Sequence, residues 1–156
     1  MRDPWLEIGH NAAMTREAPT IQLYEAVGRL RRGGEGQLEA HGLVAPFDAS
    51  AGRVDNLAGP ADLLCAALSA CMLKNVERFS QLLPFRYESA TILVVAERED
   101  SPPRIVRMRY ELEIVTDESA ARVELLHRNI EKFGTITNTL SRACEVTGTV
   151  TTVGPS

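Results

Sequence analysis

Pro60 and Pro84 frame a stretch with no turn-forming pair inside it, and its first half is the apolar run Leu63-Leu64-Cys65-Ala66-Ala67-Leu68-Ser69-Ala70-Cys71-Met72-Leu73. Proline fits a helix's first turn, where its missing N–H costs nothing, and it ends a helix that it follows. Asp62 adds a carboxylate near the positive end of the dipole. One helix from Pro60 to about Leu83 is therefore predicted, the longest in the chain. Lys74, Asn75, Glu77, Arg78, Ser80 and Gln81 make its second half partly solvated. The first half is apolar on all sides, so protein should surround it. Ala66, Ala67, Ser69 and Ala70 let another backbone approach closely. In a chain with one other sizeable helix, a second copy is the expected neighbour, and a homodimer follows.

The bounds are ordinary. With 156 residues, 44% of them hydrophobic and 24% charged, the chain has the size and composition of one soluble domain. A net charge of −4 lacks the basic excess of a phosphate-backbone binder, so nucleic acid is not an expected partner. The run Leu63 to Leu73 falls short of the ~18 residues of a membrane span. The first residues lack the basic region and apolar stretch of a signal peptide, and a cytoplasmic location with no membrane partner is expected. Cys65, Cys71 and Cys144 are widely spaced with no CxxC pair, so neither a disulfide framework nor a zinc ribbon is encoded. His10, His41 and His127 are scattered, and neither a metal nor another cofactor is expected.

Residues 1–20, without periodicity, read as an N-terminal arm, and 21–156 as a single domain. Gln22 to Leu30 and Gln37 to Val44 read as a hairpin around Gly33-Gly34-Glu35-Gly36, followed by a loop to Gly59 that holds at most one short strand. Beyond Pro84, Tyr87 to Glu97 is rich in strand formers. Past Ser101-Pro102-Pro103, Val106, Met108, Tyr110, Leu112 and Ile114 alternate with Arg107, Arg109, Glu111 and Glu113, which marks a strand with one wet face and cross-strand charge pairs. Asp117 or Thr116 can cap a helix carrying Val123, Leu126, Ile130 and Phe133, with Gly134 where a left-handed cap would stand. A short helical turn over Thr137 to Ala143 and a strand from Glu145 to Val153 complete an α+β domain, an antiparallel sheet packed against helices.

Three segments in this order, Gly59 to Cys71, Arg98 to Ile105, and Lys132-Phe133-Gly134-Thr135-Ile136-Thr137-Asn138-Thr139-Leu140, resemble the OsmC/Ohr superfamily of osmotically induced and organic-hydroperoxide-resistance proteins over residues 22 to 152. The resemblance implies antiparallel sheets packed on a long central helix, an intertwined homodimer, and active sites at the subunit interface. It also implies a thiol peroxidase: a helix cysteine attacks a hydroperoxide, becomes sulfenic acid, and is captured by a second cysteine. Cys71 aligns with the attacking cysteine. Such a thiol needs a cation nearby, because it lies about ten residues into the helix and the dipole fades within the first turn. Among Arg29, Arg31 and Arg32, Arg32 is taken for that role.

The chain departs from the family pattern at two places. Gly134-Thr135 stands where the family carries its second cysteine, and Ala61 stands where it carries an acidic residue, with Asp62 rotated ~100° away. Cys65 is ~9 Å of helical rise from Cys71, beyond disulfide reach. Two readings of Cys71 remain: an inert packed thiol or a sheltered nucleophile. The first function they give is a peroxidase that reduces a small-molecule organic hydroperoxide through Cys71, resolved by Cys144 or by an external thiol reductant. The second is an OsmC-like small-ligand-binding or structural protein without turnover.

Overall fold

The computed structural model describes residues 20–52 and 56–156; the expected arm at 1–20, Thr20 apart, lies outside them. Three strands, β1 (Val27–Arg31), β2 (Glu35–Ala40) and β3 (Leu43–Asp48), form one antiparallel sheet. Helix α1 (Pro60–Leu82) follows, then β4 (Ser89–Asp100), β5 (Pro103–Val115), α2 (Ala120–Phe133), α3 (Thr135–Leu140) and β6 (Glu145–Val153). The α+β class is the one expected from the sequence, with the second sheet packed on the long helix. One difference concerns direction: β4 and β5 are antiparallel, whereas β5 and β6 run parallel. A chain that leaves β5, crosses through α2 and α3, and returns beside β5 arrives in the same sense, as in any strand–helix–strand unit.

The core lies between the second sheet and the helices. Met108, Tyr110, Leu112 and Ile114 of β5 meet Leu68, Met72, Val76 and Phe79 of α1 and Val123, Leu126 and Ile130 of α2, all buried. Each such aliphatic side chain stabilises the fold by about 1.5–3 kcal/mol relative to exposure. The opposite face of β5 is wet: Arg107 pairs with Glu97 and Glu145, and Arg109 with Glu97, the cross-strand ion pairs expected there.

α1 begins where Pro60 predicts, and Asp62 accepts a hydrogen bond from the Gly59 N–H at 2.9 Å, reaching back from the first turn. At its other end Arg122 of α2 donates to the carbonyls of Leu83 and Pro84 at 2.8 and 2.7 Å while its Nε bonds Glu118, so a residue 40 positions later closes α1. Ser119, rather than Thr116 or Asp117, stands at the N-cap position of α2, and its side chain makes no capping hydrogen bond. Thr116 instead donates to the Arg86 carbonyl and accepts from the Glu118 N–H.

The strand expected from Gln37 to Val44 is broken at His41-Gly42, a two-residue turn with both φ positive (45° and 87°) that pairs Ala40 with Leu43 and generates β3. Glycine takes that conformation freely, and histidine is among the residues that tolerate it. The first sheet has no extensive contact with the helices or the second sheet. Its apolar side chains and those leading into it are in the open: Leu23 is 91% exposed, Tyr24 85% and Leu30 65%.

Candidate active site

Cys71 sits mid-helix, half-buried, and outside the core cluster. The helical period explains this. Leu68 and Met72 point into the core, and Cys71 is rotated from them by about 60° and 100°, at the border of the face that carries exposed Ala66, Ala70 and Lys74. In the single chain the small-residue half of α1 is therefore not enclosed: its core side is covered and its other side is bare. Cys71 makes no hydrogen bond or ion pair among the described residues.

The other two thiols belong to the packed side. Cys65 and Cys144 both lie against the core, and all three cysteines are free. Burial pushes the Cys65 thiol up, and the Asp62 carboxylate adds to this while the Ala96 backbone on β4 opposes it. Burial also raises Cys144, whose Sγ contacts the Leu140 carbonyl at 3.6 Å. Both are protonated, inward-facing sulfurs.

Gly134 is extended (φ −76°, ψ 119°), not left-handed as its position at a helix end suggested. It closes α2 and opens α3, and its reason is space. A Cβ at this position would stand 2.6 Å from Thr137 Oγ1, 3.1 Å from Thr137 Cβ and 3.2 Å from Asn75 Nδ2. Asn75 is one helical turn beyond Cys71 and 6% exposed; Thr137 is also 6% exposed. The sequence reading set Asn75 among the solvated residues of α1, and the structure buries it, because Asn75 falls in phase with Leu68, Met72 and Phe79.

Arg32 lies in the β1–β2 turn and is exposed, with no partner among the described residues. Nothing among the described residues joins it to Cys71. Asp62 is occupied in capping α1. A cleft of about 730 Å³ opens at that end of the helix, between Phe47, Ser50, Leu57, Asp62 and Arg98, and Cys71 does not line it. Among the described residues no group of His, Cys, Asp and Glu could hold a metal ion, and no helix is long and apolar enough to cross a membrane. His10 lies outside the described residues.

The family model described as OsmC-like protein matches residues 54–148. A search of curated proteins found no match. Among solved structures, an OsmC-like protein from Mycoplasma pneumoniae superposes with a TM-score of 0.78 at 17% identity, covering 86% of this chain and 99% of its own. An organic hydroperoxide resistance protein from Elizabethkingia anophelis gives 0.72 at 16% identity, covering 87% and 100%. One from Legionella pneumophila gives 0.69 at 16%, covering 84% and 99%. At these identities the likeness is one of fold.

Proposed function

The chain belongs to the OsmC-like protein family, and from that premise we propose that it is a cytoplasmic homodimeric thiol peroxidase that reduces organic hydroperoxides through Cys71. The observation that carries this reading is the placement of Cys71. It borders the bare face of α1, whereas Cys65 and Cys144 face the core, and the resemblance aligns it with the family's attacking cysteine. The thiolate attacks the peroxide oxygen, an S–O bond forms as the O–O bond breaks, and the alkoxide leaves to take a proton from solvent. The sulfenic acid is then reduced by an external thiol reductant, because Gly134 carries no sulfur and Cys144 points inward.

Dimerisation supplies what one chain lacks. The first sheet and the residues leading into it leave Leu23, Tyr24 and Leu30 in water, and Ala66 and Ala70 leave one side of α1 bare, exposed apolar surface of the kind that marks an interface. A second copy seated there encloses Cys71, and its β1–β2 turn brings Arg32 of the partner subunit to the thiol as the activating cation. Consumption of cumene hydroperoxide in the presence of dithiothreitol tests the reading. The wild type should turn over, Cys71→Ser should not, and Arg32→Ala should fall at least tenfold.

A second reading, an OsmC-like ligand-binding or structural protein without turnover, draws on the filled space at Gly134 and the lack of a cation contacting Cys71 among the described residues. Wild-type protein as inactive as Cys71→Ser would establish it.

A further inference from the structure

Lys74 stands one turn after Cys71 on α1, about 60° round the helix and ~4.5 Å along it. Residues so spaced are surface neighbours with Cβ atoms about 5–6 Å apart, and helical side chains lean towards the N-terminus, so Lys74 covers the turn that carries Cys71. An exposed lysine in such a place commonly pairs with a carboxylate one turn away. Lys74 does not, among the described residues. Its helical neighbours at that spacing are Ala70, Cys71, Glu77 and Arg78. Both Glu77 oxygens are engaged elsewhere, Oε1 by Gln81 Nε2 at 2.6 Å and Oε2 by the Tyr87 hydroxyl at 2.5 Å. Arg78 adds a like charge, and its guanidinium lies over the Phe79 ring with no carboxylate among the described residues. In a chain of net charge −4, α1 thus carries an uncompensated positive stretch that begins beside Cys71. The anion within its reach is the sulfur.

We propose that Lys74 is a cation of the same chain that stabilises the Cys71 thiolate, alongside Arg32 of the partner subunit. The inference deepens the peroxidase reading and takes its purpose from it. When the thiol releases its proton to solvent, the sulfur carries the charge, and the Lys74 ammonium closes on it by rotation of a flexible stem. The neutral thiol offers nothing to pair with, in keeping with the absence of an ion pair at Cys71 among the described residues. Lys74 acts without a second copy, so a single chain already holds part of the activation. A unit charge ~5.5 Å away raises the thiolate population about threefold at the dielectric of water, and more where the surroundings are drier.

Alkylation of Cys71 by iodoacetamide tests this, because the thiolate is the species that displaces iodide. Reduced full-length protein is followed at neutral pH and low salt by peptide mass mapping, with Cys65 and Cys144 as internal references. Lys74→Gln should slow alkylation of Cys71 about three- to tenfold, and Lys74→Arg should keep it within about twofold of wild type. Salt at about 1 M, where the Debye length is about 3 Å, should shrink the difference. Arg128→Gln removes the same charge from α2, where Arg128 pairs with Glu124, and should leave Cys71 at the wild-type rate. Lysine and glutamine have similar helix propensities, so Lys74→Gln folds as the wild type does. Cumene hydroperoxide, which is neutral, should oxidise Cys71 of Lys74→Gln more slowly by the same factor. A wild-type alkylation rate in Lys74→Gln, or an equal fall in Arg128→Gln, would overturn the proposal and leave Lys74 a surface lysine extended into water. A Cys71 that alkylates in this Lys74-dependent way, yet is untouched by cumene hydroperoxide, would overturn the peroxidase reading and leave the thiolate assignment standing.

Discussion

Restoring the second cysteine is the perturbation that tests the local packing most sharply. Gly134→Cys puts a thiol at the family position with no backbone penalty, since φ −76° and ψ 119° suit any residue. The cost is all contact. The new Cβ would sit 2.6 Å from Thr137 Oγ1, against ordinary contacts of 3.4–4 Å, so Thr137 or α3 must give by close to an ångström. Overpacking of this kind costs about 1–3 kcal/mol. At about 2 kcal/mol, a chain of this length loses roughly 4–8 °C in Tm. The double variant Gly134→Cys/Thr137→Ala removes the offending oxygen and leaves the contacts near 3.1 and 3.2 Å, so it should recover at least half of the loss. Differential scanning calorimetry at one fixed protein concentration measures both, because the Tm of any self-associating chain depends on concentration. A single variant that melts with the wild type, or a double variant that melts below the single, would refute the claim that Thr137 and Asn75 occupy the place of the second thiol.

Gly148→Ala should cost about 1–3 kcal/mol by chemical denaturation, since its Cβ would overlap the ring of Tyr110, and that ring is held by its hydroxyl, which donates to Glu131 and is hydrogen-bonded with the His127 ring nitrogen. Under the proposed homodimer, sedimentation velocity should find the wild type dimeric and Ala70→Arg monomeric, because a charge buried without a partner costs about 3–5 kcal/mol, a loss of two orders of magnitude or more in affinity. The Glu118 carboxyl is held below its ordinary 4.5 chiefly by the Arg86 backbone N–H, then by the Arg122 side chain. Its depressed value means that its contribution to stability is present in full above about pH 4.5 and is lost as pH falls through the folded-state value. Glu118→Gln should therefore flatten the acid limb of the stability curve, and an unchanged limb in denaturant titrations at pH 3–5 would sink that assignment.

Where a segment's local pattern and its tertiary surroundings agree, the sequence is readable. The β5 alternation placed Met108, Tyr110, Leu112 and Ile114 inward, and the prolines bounded α1. The final strand, Glu145–Val153, was legible from its run of Thr and Val. Three features depended on distant partners and were not legible. The parallel pairing of β6 is set by the crossover, since alternation is the same for either direction. The end of α1 is closed by Arg122, which no local signal links to Leu83. Gly134 suggested a left-handed cap, but its need for glycine comes from Thr137 and Asn75 across the helix junction. At the site, Cys71 was legible through its place in the small-residue run. Arg32, expected beside it, stands on a hairpin with no extensive contact to α1, so no local signal ties the two.

The central claim is that Cys71 alone among the three thiols reacts with peroxide and no internal thiol resolves it. Intact mass and non-reducing peptide mapping of the reduced protein after one equivalent of an alkyl hydroperoxide test it, with Cys71→Ser as control and a sulfenic-acid trap present. The account predicts oxidation confined to Cys71, reversed by dithiothreitol, with no Cys71–Cys144 or Cys71–Cys65 disulfide. An unreacted Cys71, equal oxidation of all three cysteines, or a rapid disulfide to Cys144 would contradict it.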